Sequence, residues 1–273
     1  MQFKSITYQS SIIFYRIIGQ GKPVILLHGF GEDGEIWNEQ VAYLKEHFHL
    51  IIPDLPGSGK SSGQLLVGSL QSEVGMTEYA DVIKAILEEE QITECTILGH
   101  SLGGYITLAF AEKYPASLKA FGLVHSSAFA DSEEKKTARR KSNEFIKKNG
   151  AYQFLKTSIP GLFKGSTKAS DGLEPSDALI EKGKNFSPEA LIQYYQAMIA
   201  RPDRTEILRT FKGPILFIIG EYDNAVPFQQ SLQQCYLPAI SHVHILRNTA
   251  HMGMLEEPRR VNEMIRDFLA SFM

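Results

Sequence analysis

Cysteine is scarce in this chain, with only Cys95 and Cys235 among 273 residues. That excludes a small disulfide-stapled scaffold and leads us to expect two reduced thiols in a cytoplasmic protein. Long apolar runs are missing too. The longest strings, such as Pro214 to Ile219, are strand-sized and far short of the roughly 20 residues of a membrane span. The opening Met1-Gln2-Phe3-Lys4-Ser5-Ile6 has no apolar core of the kind a signal peptide needs. Neither sign of charge dominates. Lys and Arg number 28 against 31 Asp and Glu, for a net charge of −3 and a pI near 6.3. Nothing here implies a nucleic acid or an anionic membrane surface as partner. What the chain does have is 43% hydrophobic residues, enough for one sizeable core plus an insertion.

Strand and helix patterns alternate along most of the length. Residues 5–18 read as two short strands around a turn at Gln9-Ser10. Val24 to Leu27 is a continuous apolar run of the kind buried in a parallel sheet, and it ends in His28-Gly29-Phe30-Gly31. A helix follows over residues 36–48, then a strand over His49 to Ile52. Thr77 to Glu90 carries an amphipathic stripe of Tyr79, Val82, Ile83, Ile86 and Leu87, with Thr77 as the expected N-cap. Further strands are expected at Cys95 to Leu98, Lys119 to Val124, Pro214 to Ile219 and Val243 to Leu246. The rhythm breaks from about Ala128 to Arg209, where no clear strand occurs and residues 131–148 are densely charged. That run reads as a solvated helix face. The expected architecture is α/β: a mostly parallel sheet of about eight strands flanked by helices, formed by residues 1–127 and 208–273. A helical cap over residues 128–207 is inserted into it.

One stretch resembles a nucleotide site and fails the test. Gly59-Lys60-Ser61 imitates the end of a P-loop, but the glycine required five residues earlier is Asp54, and Pro53 and Pro56 remove N–H donors. A tight structural loop is the better reading.

The chain is organised around Gly99-His100-Ser101-Leu102-Gly103, with an apolar strand before it and a helical pattern after it. Strand, G-x-S-x-G and helix together describe a nucleophile elbow, a sharp turn that lifts a serine hydroxyl above a sheet. In an open α/β sheet, ligands bind beyond the carboxyl ends of the strands. Ser101, Asp223 and His251 all follow strands, as do His28 and Phe30. A serine needs an imidazole to take its proton, and the imidazole needs a carboxylate to orient it. The N–H groups of Leu102 and Phe30 are the expected oxyanion donors. His125 and Ser126 end a strand at the same edge and are candidates for lining the pocket, whereas His100 reads as structural. The alternating pairs His47/His49 and His242/His244 lack carboxylate or cysteine partners, so no metal site is expected.

Five segments in order, LLHGFGE, IIPDLPGSGKS, GHSLGGY, GEYDNAVP and AHMGMLEEP, resemble the α/β-hydrolase superfamily, in its capped, esterase-like serine hydrolase branch. The resemblance covers nearly all of the chain except the middle of the cap. It implies Ser101 as nucleophile, Asp223 as acid, His251 as base, Phe30 and Leu102 as the oxyanion hole, and a mainly structural role for His28 and Asp54. Asn224, beside the acid, departs from many relatives. The implied activity is cofactor-free cleavage of a carboxylic ester or similar acyl compound through an acyl-enzyme on Ser101. C–C bond hydrolysis, lyase chemistry and a receptor-like module with slow turnover stay open, because fold does not fix function.

Overall fold

The structure is a computed structural model that describes residues 1–65, 74–165 and 174–272. Part of the segment expected as a cap, residues 166–173, lies outside the described residues.

Among the described residues, eight strands form one sheet: β1 (Gln2–Tyr8), β2 (Ser11–Ile18), β3 (Lys22–Leu27), β4 (Phe48–Pro53), β5 (Cys95–His100), β6 (Leu118–Val124), β7 (Ile215–Gly220) and β8 (Ser241–Leu246). Their spatial order is β1-β2-β4-β3-β5-β6-β7-β8. The hairpin β1–β2 and the β2–β4 pair are antiparallel, and every other pairing is parallel. Burial follows from that topology. Strands β5 and β7 are buried at all six positions because helices cover both faces, which is why they read as unbroken apolar runs. The edge strand β1 is mostly exposed and alternates.

Helix α1 (Asn38–Leu44) stops short of the expected Phe48, because Phe48 already belongs to β4. Helix α2 (Met76–Glu89) starts one residue before the expected cap Thr77. The Gly75 N–H donates to the Glu78 carboxylate, so Gly75 occupies the N-cap. Helix α3 (Leu102–Lys113) is apolar almost all round and packs against the sheet centre. Between β6 and β7 lie α4 (Glu133–Asn149), α5 (Ala151–Ser158), α6 (Pro175–Lys182), α7 (Pro188–Ala200) and α8 (Thr205–Thr210), with no strand among the described residues. Ser132 caps α4, and Gly150, at φ +86°, breaks it from α5. Helices α9 (Phe228–Cys235), α10 (Gly253–Glu256) and α11 (Pro258–Ala270) complete the chain. Both cysteines are free and buried, and no helix among the described residues is long and apolar enough to cross a membrane.

The inserted helices have their own apolar centre, with Ile146, Leu155, Leu191 and Tyr194 buried. They dock on the loops at the carboxyl ends of the strands. The Tyr194 hydroxyl donates to the Pro56 carbonyl at 2.7 Å, the Tyr195 ring stacks on Phe30 at 4.2 Å, and the His251 N–H donates to the Leu162 carbonyl at 2.9 Å.

Candidate active site

Ser101 sits between β5 and α3 at φ +48° and ψ −110°, a conformation that L-residues rarely adopt. The surroundings enforce it. The Ser101 N–H donates to Val124 O at 3.0 Å, and its carbonyl accepts the Gly104 N–H at 3.0 Å and the Ser126 hydroxyl at 2.7 Å. A Cβ on Gly99 would lie 2.3 Å from the Gly103 backbone, and one on Gly103 would lie 2.5 Å from Leu27 O. Only glycine leaves room for such an approach. The Ser101 hydroxyl makes no hydrogen bond among the described residues. It opens into a cavity of about 270 Å³ that it shares with Phe30, Glu32, Tyr105, Arg139 and His251. Neither the Phe30 N–H nor the Leu102 N–H donates to a described residue. Leu102 is the first residue of α3, whose first-turn donors have no partner inside the helix.

Asp223 follows β7 and His251 follows β8, one strand apart. Asp223 Oδ1 accepts the Ala225 and Val226 N–H groups, each at 2.8 Å, and Oδ2 accepts from His251 Nδ1 at 2.8 Å. With the proton on Nδ1, the neutral ring carries its lone pair on Nε2. Burial pushes the Asp223 carboxyl up, but the His251 and His125 rings outweigh it and hold the group below the ordinary carboxylate range.

His125 and Ser126, the expected pocket-lining residues, do not line the cavity; both are buried behind it. Ser126 is held back by its hydrogen bond to the Ser101 carbonyl. His125, at φ +49°, accepts the Gly253 N–H on Nε2 at 3.2 Å. Its proton is therefore on Nδ1, which lies 3.5 Å from Asp223 Oδ2. At that separation the contact is electrostatic rather than a formed hydrogen bond. Burial drives the His125 ring down to about 4, against the pull of Asp223, so it is neutral at pH 7. His125, Asp223 and His251 are also the one group of metal-compatible side chains among the described residues, within 4.8 Å of one another. Both histidines present a proton-bearing Nδ1 to the carboxylate, so this donor set is arranged as a hydrogen-bonded cluster rather than as ligands around a cation.

Sequence reasoning missed a second histidine–carboxylate pair. His100 Nδ1 lies 3.0 Å from Glu32 Oε2, and His100 Nε2 lies 3.1 Å from the His251 carbonyl. Glu32 also accepts the Gly29 N–H at 2.7 Å. The pair thus ties the loop after β3, the elbow and the His251 loop together. Burial pushes the His100 ring down, but Glu32 dominates and raises it. Burial likewise opposes ionisation of Glu32, and His100 lowers it. The signal was present in the spacing: Glu32 stands three residues after Gly29, and His100 stands next to the serine.

His28 and Asp54 pin loops. His28 accepts the Leu55 N–H, and Asp54 accepts the Gly34 and Lys60 N–H groups. The Ser61 hydroxyl donates to the Asp54 carbonyl, which closes the P-loop look-alike as a tight turn.

The sequence profile of the alpha/beta hydrolase fold matches residues 22–258. The chain belongs to the alpha/beta-hydrolase family. Among solved structures, this alpha/beta hydrolase is similar to a malate-bound thermophilic esterase from Thermogutta terrifontis. That likeness covers 100% of this chain and 99% of the esterase, at 27% identity and a TM-score of 0.85. Lipase 1 of Psychrobacter immobilis is 29% identical over 245 residues, 86% of this chain and 73% of the lipase. A 2-hydroxy-6-oxononadienedioate/2-hydroxy-6-oxononatrienedioate hydrolase of Paraburkholderia phymatum is 25% identical over 270 residues, 94% of this chain and 90% of its own. The family and these relatives support a hydrolase.

Proposed function

We propose that the chain is a serine hydrolase cleaving a carboxylic ester or similar acyl compound, with Ser101, His251 and Asp223 as its triad. The observation that carries this reading is the 2.8 Å bond from His251 Nδ1 to Asp223 Oδ2, with the His251 ring lining the same cavity as a serine at φ +48°. His251 Nε2 takes the Ser101 proton as Oγ adds to the substrate carbonyl. Asp223 keeps the proton on Nδ1 and stabilises the imidazolium. The carbonyl oxygen gains the negative charge, and the uncommitted Phe30 and Leu102 N–H groups are its donors. The intermediate collapses, His251 returns the proton to the departing alkoxide, and an acyl-Ser101 ester is left. Water, deprotonated by His251, then adds to that ester, and the acid leaves as Ser101 regains its proton. Catalytic pairs often close to full hydrogen-bond distance only with substrate in place, so the open Ser101 hydroxyl fits this role.

In this reading the inserted helices over residues 128–207 act as a cap, and their side chains size the substrate. The test is hydrolysis of p-nitrophenyl esters from acetate to decanoate by the wild type and by Ser101→Ala. Turnover that vanishes in the variant supports the serine mechanism, and the preferred chain length measures the cavity. Equal turnover by the variant would overturn it. The dioate hydrolase relative favours one second reading, hydrolysis of a carbon–carbon bond at the same triad. Release of acid from a 2-hydroxy-6-oxo-dienoate, with no turnover of any p-nitrophenyl ester, would select it.

A further inference from the structure

Helix α4 places Lys135, Ala138, Arg139 and Ser142 at i, i+3, i+4 and i+7, which is one face of a helix. All four line the cavity that holds Ser101 and His251. Part of the charged run 131–148 is therefore turned to the cavity, a correction to its reading as a solvated face. A wall built for a neutral acyl chain would be apolar at these positions.

The charge on this wall is not balanced. Asp131, whose side chain is 0% exposed, accepts from Arg201 at 2.9 Å and from Arg139 Nε at 2.7 Å, with Lys135 Nζ 3.9 Å away. One buried carboxylate behind the wall thus faces three cations, of which Arg139 and Lys135 line the cavity and Arg201 does not. Glu32, also on the wall, is matched by His100, and Asp223 is set behind His251 rather than on the cavity surface. Arg139 uses Nε on Asp131, while its Nη1 and Nη2 groups donate to no described residue. The guanidinium lies 5.2 Å from the Tyr195 ring centroid, which orients it without consuming those donors. Lys135 commits one donor to the Ala225 carbonyl at 2.7 Å. The neighbouring Tyr105 registers the same field. Burial pushes its hydroxyl up, but Arg201, Lys135 and Arg139 pull it below the ordinary tyrosine value.

We propose that this wall is a carboxylate subsite: the substrate is an acyl compound bearing an anionic group, bound by Arg139 and Lys135 while Ser101 attacks the carbonyl. This rests on the ester-hydrolase reading above and names its substrate class. An arginine edge with two free N–H donors suits a planar carboxylate, and the lysine adds a point charge.

The test compares kcat/KM for charged and neutral esters of matched size. One arm uses p-nitrophenyl hydrogen glutarate against p-nitrophenyl pentanoate, which places the carboxylate on the acyl side. The other uses 4-(butanoyloxy)benzoate against phenyl butanoate, which places it on the alcohol side. The wild type should prefer the charged ester in at least one arm, and that arm identifies the half that carries the anion. Arg139→Gln should lower the charged-to-neutral ratio roughly 10- to 150-fold, the value of a charge-assisted hydrogen bond. Lys135→Gln should lower it less, and Arg139→Lys should restore part of it. Ratios near one in both arms, or a ratio unmoved by Arg139→Gln in folded protein, would overturn the subsite. If none of the esters is hydrolysed, the ester reading fails separately. Calorimetric binding of monomethyl glutarate to Ser101→Ala then decides the subsite alone. Binding that is lost in the Ser101→Ala, Arg139→Gln double variant supports it, and no binding to Ser101→Ala sinks it.

Discussion

Two histidine–carboxylate pairs flank Ser101, and their geometry is nearly the same. His251 meets Asp223 at 2.8 Å, His100 meets Glu32 at 3.0 Å, and all four side chains are buried. The difference is in the second ring nitrogen. His251 has Nε2 left over on a ring that shares the cavity with a serine, whereas His100 Nε2 is consumed by the His251 carbonyl. A histidine with a free lone pair can move a proton; one with both nitrogens bonded can only hold backbone in place. Under the proposed triad, what remains unbonded separates a chemical pair from a mechanical one, since distance and burial alone do not distinguish them.

The sharpest way to break the comparison is to remove each carboxylate. Asp223→Asn should lower kcat by about 10⁴ through the wrong His251 tautomer, with little change in KM. A loss under about tenfold would mean that Asp223 is not the group that orients His251. Glu32→Gln should act mainly on stability. Breaking a buried pair from one side costs about 3–5 kcal/mol, read from denaturant unfolding. Its effect on kcat should stay near or below about 10²-fold, the size of a small misplacement of catalytic groups. The pH dependence follows from the two shifts. His100 is raised, so its contribution is complete below its ordinary 6.5 and is lost as pH rises through the raised value. Glu32 is lowered, so its contribution is complete above its ordinary 4.5 and is lost as pH falls through the lowered value. The gap in stability between wild type and Glu32→Gln should therefore be widest between about pH 4.5 and 6.5. A flat gap would mean that the pair is neutral.

His125 tests the opposite sign. It is buried neutral and driven down to about 4, so the unfolded chain binds the proton first as pH falls from 6.5. This one group should cost on the order of 3 kcal/mol of stability across that interval. His125→Gln keeps an acceptor for the Gly253 N–H but cannot titrate. Urea unfolding at pH 6.5, 5.5 and 4.5 should show a shallower decline in the variant; parallel declines would place the acid sensitivity elsewhere.

The fold was largely legible because the parallel strands are covered on both faces and read as apolar runs, as at Ile215 to Ile219. The elbow was legible because steric closeness leaves glycine alone at Gly99 and Gly103. What stayed hidden depends on side-chain direction. Whether His125 faces the cavity or Asp223 is decided by a backbone turn at φ +49° that no residue type announces. The charged run of α4 read as solvated because polarity is the same on a wet face and on a polar pocket wall. Only the docking of the inserted helices shows which stripe faces Ser101.

A third ion pair marks the lower end of the scale. Lys182, closing α6, reaches Asp33 at 2.9 Å and Glu35 at 2.6 Å in the segment after β3, so it fastens the inserted helices to the core. These distances match those of the buried pairs, but the Lys182 side chain is 32% exposed and Glu35 is 53% exposed. Burial pulls the ammonium down, and the two carboxylates outweigh it and raise it, so the charge is present throughout the neutral range. Water already solvates these groups well, so little is gained by pairing them. Lys182→Met should change unfolding free energy by at most about 1 kcal/mol, and 1 M salt should erase most of that difference. A loss as large as that expected for Glu32→Gln would mean that distance ranks the ion pairs of this molecule. A small, salt-sensitive loss means that burial does, and that the His100–Glu32 strut owes its weight to the absence of water around it.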